Sequence, residues 1–249
     1  VSADITGSTA IVTGASRGFG RAIATALASA GVQVVGVARD QAQLENVGAE
    51  IGDTFTPVTA DAADPVTAGQ LIDVHRPQIL VLNAGASPLM RPVHHHTWES
   101  FSRNWEVDAR HAFYWTREAL LTPLPPGSTV ITLSSGAALR GSPLSGGYAG
   151  AKATIRFLTA YAAAESERAG LGIRFLSVLP QLTGATGLGS AAVAAYAARQ
   201  GVDVATYRQD AGPALTTEQV GKAITGLVTG AGASHDAYLL TAAGLTPAP

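Results

Sequence analysis

Cysteine is absent from all 249 residues. Disulfides, thiolate nucleophiles and cysteine zinc sites are therefore excluded together. Charge is also scarce: charged residues make up 14% of the chain and the net charge is −2. No broad electrostatic footprint for nucleic acid or an anionic membrane follows from such a balance. No apolar run approaches the roughly 20 residues of a membrane span. The opening Val1-Ser2-Ala3-Asp4 carries neither the basic nor the apolar stretch of an export signal, and a cytoplasmic location is the expectation. No Ser-His-Asp ordering is evident, which argues against a hydrolase.

What the chain has in quantity is apolar sequence, 47% of it, together with 28 glycines. This length and composition suit a folded chain with a substantial core and exclude a disordered one. β-rich runs recur at 9–13, 32–37, 55–60, 79–83, 129–134, 173–178 and 237–241. Most are continuously apolar, as expected of strands buried on both faces of a parallel sheet. Helical patterns separate them at 18–30, 41–50, 65–75, 97–121, 147–168 and 216–229. Asp64-Pro65 reads as an N-cap followed by proline at the first helical position, and Thr216 with Gln219 has capping-box spacing. The alternation predicts an α/β fold, a doubly wound, mostly parallel seven-stranded sheet with helices on both faces and ligands at the carboxyl ends of the strands. There is no internal repeat and no interdomain linker, so residues 1–249 are expected to form one Rossmann-type domain. The long stretch 181–213, with a short helix at 190–199, is expected to be a substrate loop or lid. Leu188, Val193 and Tyr196 are its apolar candidates.

Tyr148 and Lys152 lie four residues apart in a helical stretch, one turn from each other on one face. An ammonium beside a phenol favours the ionised phenol. A tyrosine so placed can exchange a proton with a substrate oxygen near neutral pH. Ser135, after the apolar run Val130-Ile131-Thr132-Leu133, would present a hydroxyl to the same oxygen. The turn Thr13-Gly14-Ala15-Ser16-Arg17-Gly18-Phe19-Gly20 falls between a strand and an Ala-rich helix, where backbone amides and the helix dipole attract phosphate.

With these residues the chain resembles the short-chain dehydrogenase/reductase family in its single-domain form, over nearly its whole length. The resemblance implies a cofactor loop at Gly14, Ser16, Arg17, Gly18, Phe19 and Gly20, and an adenine contact at Asp61-Ala62. It implies that Asn83-Ala84-Gly85 steadies the sheet beside the cofactor and that Pro180 precedes the nicotinamide contact. Ser135, Tyr148 and Lys152 match the catalytic residues, with Tyr148 and Lys152 also touching the cofactor. Asp108 occupies the position where the family usually carries asparagine, with Asn104 one helical turn earlier, and Gln181 stands where glycine usually follows the proline.

The implied activity is an NAD(P)-dependent interconversion of a carbonyl and a secondary alcohol, with Tyr148 as general acid and base. At the end of the second strand, Ala38 replaces the family's usual acidic residue and Arg39 follows it. Arg39 with Arg17 points to NADP(H), with NAD(H) as the lesser partner. Asp40 is a competing neighbour for Arg39. His94-His95-His96 reads as a solvated or substrate-facing loop, since adjacent side chains diverge, and no metal is expected. Trp98, Phe101, Trp105, Phe113 and Trp115 read as core or helix-pairing positions, and relatives commonly pair such helices between subunits. A homo-oligomer, tetramer or dimer, acting on a small carbonyl or alcohol substrate is expected. The alternatives are a nucleotide-binding regulatory protein of the same fold without catalysis, and a lyase or epimerase using bound nicotinamide.

Overall fold

Continuous apolar runs become the strands of one eight-stranded sheet in the order β3-β2-β1-β4-β5-β6-β7-β8. The computed structural model describes residues 3–230 and 235–249. Residues 1–2 and 231–234 of the expected domain lie outside the described residues. The strands are β1 (Thr9–Thr13), β2 (Gln33–Ala38), β3 (Phe55–Thr59), β4 (Ile79–Leu82), β5 (Thr129–Leu133), β6 (Arg174–Pro180), β7 (Ala237–Thr241) and β8 (Gly244–Pro247). All pairs are parallel except β7 with β8. The seven expected strands are present. The eighth is a short antiparallel return, paired from Thr241–Gly244 to Tyr238–Pro247. Its four residues are half-buried or exposed, so they carry no apolar run that marks a strand.

Helices α1 (Gly18–Ser29), α2 (Gln41–Ile51) and α10 (Thr217–Val228) cover one face of the sheet, and α3 (Pro65–His75), α5 (Arg110–Leu121) and α7 (Gly146–Ala169) cover the other. Each face builds its own apolar layer, around Ile23, Leu44 and Ile224 on one side and Ile72, Trp115 and Phe175 on the other. Central strands β4 and β5 are buried at every position, which is why they read as unbroken apolar runs. The predicted caps form: Asp64 accepts from the Val66 amide, and Thr216 and Gln219 make a reciprocal capping box. β1 and β4 are neighbours, so the strand order reverses between them and opens the crevice where such folds bind ligands.

Two stretches differ from the sequence reading. The helix expected over 97–121 is broken into α4 (Trp98–Asn104), a π-helical turn at Trp105–Ala109, and α5. The wide turn brings Asn104 and Asp108, both buried, to the backbone of one residue, Ala86: Asp108 to its amide and Asn104 to its carbonyl. The stretch 181–213 is largely helical, with α8 (Gly187–Gln200) and α9 (Val204–Asp210), the second started by Asp203 accepting from the Ala205 and Thr206 amides. A short helix, α6 (Ala137–Arg140), follows β5. Among the described residues no helix is long and apolar enough to cross a membrane.

Candidate active site

A cleft of about 540 Å³ opens at the carboxyl ends of β1, β2 and β4. Its walls include Gly14, Ser16, Arg17, Gly18, Phe19, Arg39, Asp61, Ala62, Asn83, Ala84 and Gly85, so one crevice gathers these sequence-predicted positions. The floor is fixed by hydrogen bonds across the β1–β4 switch. Thr13 Oγ1 accepts from the amides of Asn83 at 2.9 Å and Ala84 at 3.1 Å, while Asn83 Nδ2 donates to the Thr13 carbonyl at 3.0 Å. This close approach demands glycine. A Cβ on Gly20 would stand 2.1 Å from the Gly14 carbonyl oxygen, and one on Gly14, at φ +68°, would stand 2.8 Å from Asn83 Nδ2. The bare backbone turn at the start of α1 suits a pyrophosphate, and the residues present fit a dinucleotide.

On the cleft wall Arg17 and Arg39 are exposed, and among the described residues neither has an ion-pair partner. Asp40 is occupied elsewhere: its carboxylate caps α2, accepting from the Gln43 amide and from Gln43 Nε2. The Asp61 side chain closes its own turn through the Ala63 amide at 2.9 Å. The neighbouring carbonyl of Ala62 accepts from Trp115 Nε1 at 2.9 Å, so a buried tryptophan of α5 sets the loop after β3.

Ser135, Tyr148, Lys152 and Pro180 are not among the cleft's walls; Lys152 is linked to those walls through Asp108, which packs against Gly85. Ser134 Oγ donates to the Lys152 carbonyl at 2.7 Å, tying the end of β5 to α7. Ser135 is half-buried beside it and accepts from the Ala137 amide at 3.2 Å. The Pro180 carbonyl accepts from the Gly136 amide at 2.9 Å, which binds the β6 end to the Ser135 loop. Lys152 Nζ lies 5.6 Å from the Tyr148 ring centroid, donates to the Leu133 carbonyl at 3.0 Å and stands 3.4 Å from Asp108 Oδ2. Asp108 Oδ1 accepts from the Ala86 amide at 2.7 Å, and Asn104 Nδ2 donates to the Ala86 carbonyl at 2.7 Å. A Cβ on Gly85 would come within 2.9 Å of Asp108 Oδ2, so this glycine admits the carboxylate.

Sequence reasoning missed His111. One turn beyond Asp108, it is buried on the cleft wall with its ring edge-on to Trp115. Burial first, then the charge of Lys152, push its pKa down to about 3 against an opposing bond with the Ala84 backbone. It is neutral in ordinary conditions. Thr13, Asn104 and Trp115 also organise the site; the sequence placed Thr13 at the head of the glycine turn, Asn104 one turn before Asp108 and Trp115 at a core or helix-pairing position, without their hydrogen bonds.

Over the cleft lies the segment after β6. Thr186, Gly187 and Leu188 at the start of α8 line the crevice, and Thr186 caps that helix by accepting from the Gly189 amide. Of the expected lid residues, Val193 is instead buried and Tyr196 bonds Ser142. Gln181 Nε2 donates to the Pro213 carbonyl at 3.0 Å and Thr183 Oγ1 to the Leu215 carbonyl at 2.6 Å, stitching together the two ends of the segment. His94 and His95 lie on a 3-10 turn at Val93–His95, and His96 follows it in extended conformation. The His94 and His95 rings meet edge-on at 4.2 Å, and His96 Nδ1 bonds Ser100 Oγ. Trp115 is core, whereas Trp98, Trp105 and Phe113 are exposed.

The doubly wound sheet and the glycine-floored crevice at its switch point define a Rossmann-type α/β protein. The family model for short chain dehydrogenases matches residues 8–188, and the chain belongs to that family. L-xylulose reductase of Bos taurus is 31% identical over 164 residues, which cover 65% of this chain and 66% of that protein. A short-chain dehydrogenase/reductase of Armillaria gallica is 32% identical over 189 residues, covering 71% of this chain and 72% of the other. The chain thus spans about two thirds of the length of the curated relatives it matches. In a solved structure, 3-ketoacyl-(acyl-carrier-protein) reductase from Brucella melitensis complexed with NADH aligns with a TM-score of 0.75. That alignment has 25% identity and covers 90% of this chain and 91% of the other.

Proposed function

We propose that the protein is an NADP(H)-dependent oxidoreductase that interconverts a carbonyl and a secondary alcohol, with Tyr148 as general acid and base. The observation that carries this reading is the place of Lys152 Nζ, held by the Leu133 carbonyl and Asp108 beside the Tyr148 ring. Glycines 14, 18 and 20, with Asn83, Ala84 and Gly85, would hold the dinucleotide backbone, Asp61-Ala62 the adenine, and Pro180 the nicotinamide side. When bound, the cofactor supplies or takes up a hydride. Tyr148 gives its proton to the substrate oxygen in reduction and recovers it in oxidation. Ser135 donates a hydrogen bond to the same oxygen and orients it. Lys152 would hold the cofactor ribose. Asp108 holds Lys152 in register.

Preference for NADP(H) over NAD(H) is supported by Arg17 and Arg39 on the cleft wall, which among the described residues have no carboxylate partner. Residues 1–249 form one domain in this reading, with 181–213 as the substrate lid. The protein works in the cytoplasm as a homo-oligomer, tetramer or dimer, joined through the outer faces of α5 and α7. Phe113, Phe157 and Tyr161 are exposed there.

The test is a panel of ketones and alcohols run with NADPH and NADP⁺ on the intact protein and on Tyr148→Phe. Turnover is expected in the first and abolished in the second, with NADPH affinity nearly unchanged, because the lost hydroxyl serves the proton transfer. A variant that keeps most of its kcat removes Tyr148 from the role.

A further inference from the structure

Ser142 stands between α6 and α7, in the segment leading into Tyr148. Its oxygen accepts from the Ser145 amide at 3.0 Å and from the Ser145 hydroxyl at 2.6 Å. A serine hydroxyl has two acceptor lone pairs and one proton. Both lone pairs are taken, so the remaining bond of Ser142, to the Tyr196 hydroxyl, is made with its own proton. Ser142 donates and Tyr196 accepts. The phenolic proton of Tyr196 is left over, and among the described residues it meets no acceptor.

The ring carrying this spare donor is held in place. Tyr196 stacks on Tyr207 of α9 with centroids 6.4 Å apart and planes within 9°. Leu188, Ala192 and Tyr196 recur at a spacing of four and share one side of α8. Leu188 lines the cofactor cleft, Ala192 is buried, and Tyr196 reaches the segment before Tyr148. With a rise of 1.5 Å per residue, Tyr196 lies roughly 12 Å along α8 from Leu188. One side of the helix therefore runs from the cofactor to the approach of the proton donor.

We propose that Tyr196 is a specificity-determining residue whose free O–H binds a second oxygen of the substrate, distinct from the carbonyl oxygen held by Tyr148 and Ser135. The substrate class is a ketone bearing a further carbonyl, hydroxyl or phenol oxygen. A site built to bond such an oxygen discriminates against the analogue that lacks it. This inference rests on the reading of the site as a carbonyl reductase.

The experiment compares the intact protein, Tyr196→Phe and Ser142→Ala, each with NADPH, on cyclic monoketones and on the same rings carrying a second carbonyl or hydroxyl, decalones and tetralones among them. The intact protein should prefer the doubly oxygenated members. In Tyr196→Phe that preference should fall by about 3- to 10-fold in kcat/KM, the size of one neutral hydrogen bond. Its loss of kcat/KM on monoketones should be smaller, and its NADPH affinity, read by fluorescence, should stay level. Ser142→Ala keeps the phenolic donor and should keep the preference. Equal losses on both substrate sets in Tyr196→Phe, no loss on either, or the same selective loss in Ser142→Ala would overturn the assignment. An intact protein that binds NADPH and reduces no ketone overturns the carbonyl-reductase reading itself, a result separable from a change confined to Tyr196→Phe.

Discussion

Asp108 Oδ2 lies 3.4 Å from Lys152 Nζ, with only 1% and 7% of the two side chains exposed. The other carboxylate oxygen holds the Ala86 amide. One side chain thus fixes both the backbone that follows β4 and the ammonium beside Tyr148. Asparagine has the same shape but no charge to set against a buried ammonium.

Asp108→Asn should therefore lower stability at neutral pH, even though the amide oxygen can still accept from Ala86. Removing one partner of a buried pair costs about 3 to 5 kcal/mol. The retained hydrogen bond places the expected loss near the lower end, about 3 kcal/mol. Urea unfolding of the two proteins at pH 7 measures it. Superimposable transitions would mean that the pair adds nothing to the fold.

Arg39→Asp tests the cofactor reading at the other end of the cleft. A charge-assisted bond to a 2′-phosphate is worth about 1.5 to 3 kcal/mol, on the order of 10- to 150-fold in kcat/KM. The aspartate repels that phosphate and can accept from a ribose hydroxyl, so the preference for NADPH over NADH should reverse. The ratio of the two kcat/KM values before and after substitution decides the matter. An unchanged ratio excludes Arg39.

Local signals account for what was legible in the chain. Strands 9–13 and 237–241 and the helix at 65–75 appear at their expected bounds, because apolar runs and the Asp64-Pro65 cap lie within the elements themselves. The π-helical turn had no such signal. Trp105 to Ala109 contains no helix breaker, and the widening is bound up with Asn104 and Asp108 meeting Ala86, residues 18 and 22 positions away. Asn83 and the glycine turn headed by Thr13 were readable as motifs, yet the bond between Thr13 and Asn83 was not, since the two lie 70 residues apart. His111 escaped for the same reason, being one more polar position on a helix until the fold sets it against Ala84, and Trp115, read as a core or helix-pairing position, gave no sign of its bond to Ala62. The eighth strand and α9 are short and mostly solvated, and the periodicity of buried residues says little about either.

Phe157 and Tyr161, one turn apart on α7, stack at 6.3 Å with 59% and 64% exposure. A pair of large rings left in water on the outer face of a long helix fits burial against a second copy. Light scattering at micromolar concentration should return an oligomer, and Phe157→Glu combined with Tyr161→Glu should shift it to smaller species by placing charge at the joint. A monomer before substitution, or an unchanged mass after it, counts against this surface.

His111 makes stability depend on acid in a direction that can be worked out. Its pKa falls from 6.5 to about 3 in the folded protein, through burial first and Lys152 second. Above pH 6.5 the imidazole is neutral in both states and contributes no slope. Between pH 6.5 and about 3 the unfolded chain binds a proton there and the folded chain does not, so stability drops as pH falls, by about 1.4 kcal/mol per pH unit from this group. Below pH 3 both states are protonated and the slope from His111 ends. His111→Leu removes the titration while keeping an apolar filling beside Trp115. Its unfolding free energy should start lower at pH 7, because the ring's bond with the Ala84 backbone is lost, but should decline less steeply from pH 6 to pH 4. Urea unfolding in half-unit pH steps gives both curves, and the other histidines contribute equally to each. Parallel curves over that window would show that His111 is protonated in the folded protein as readily as in the unfolded chain.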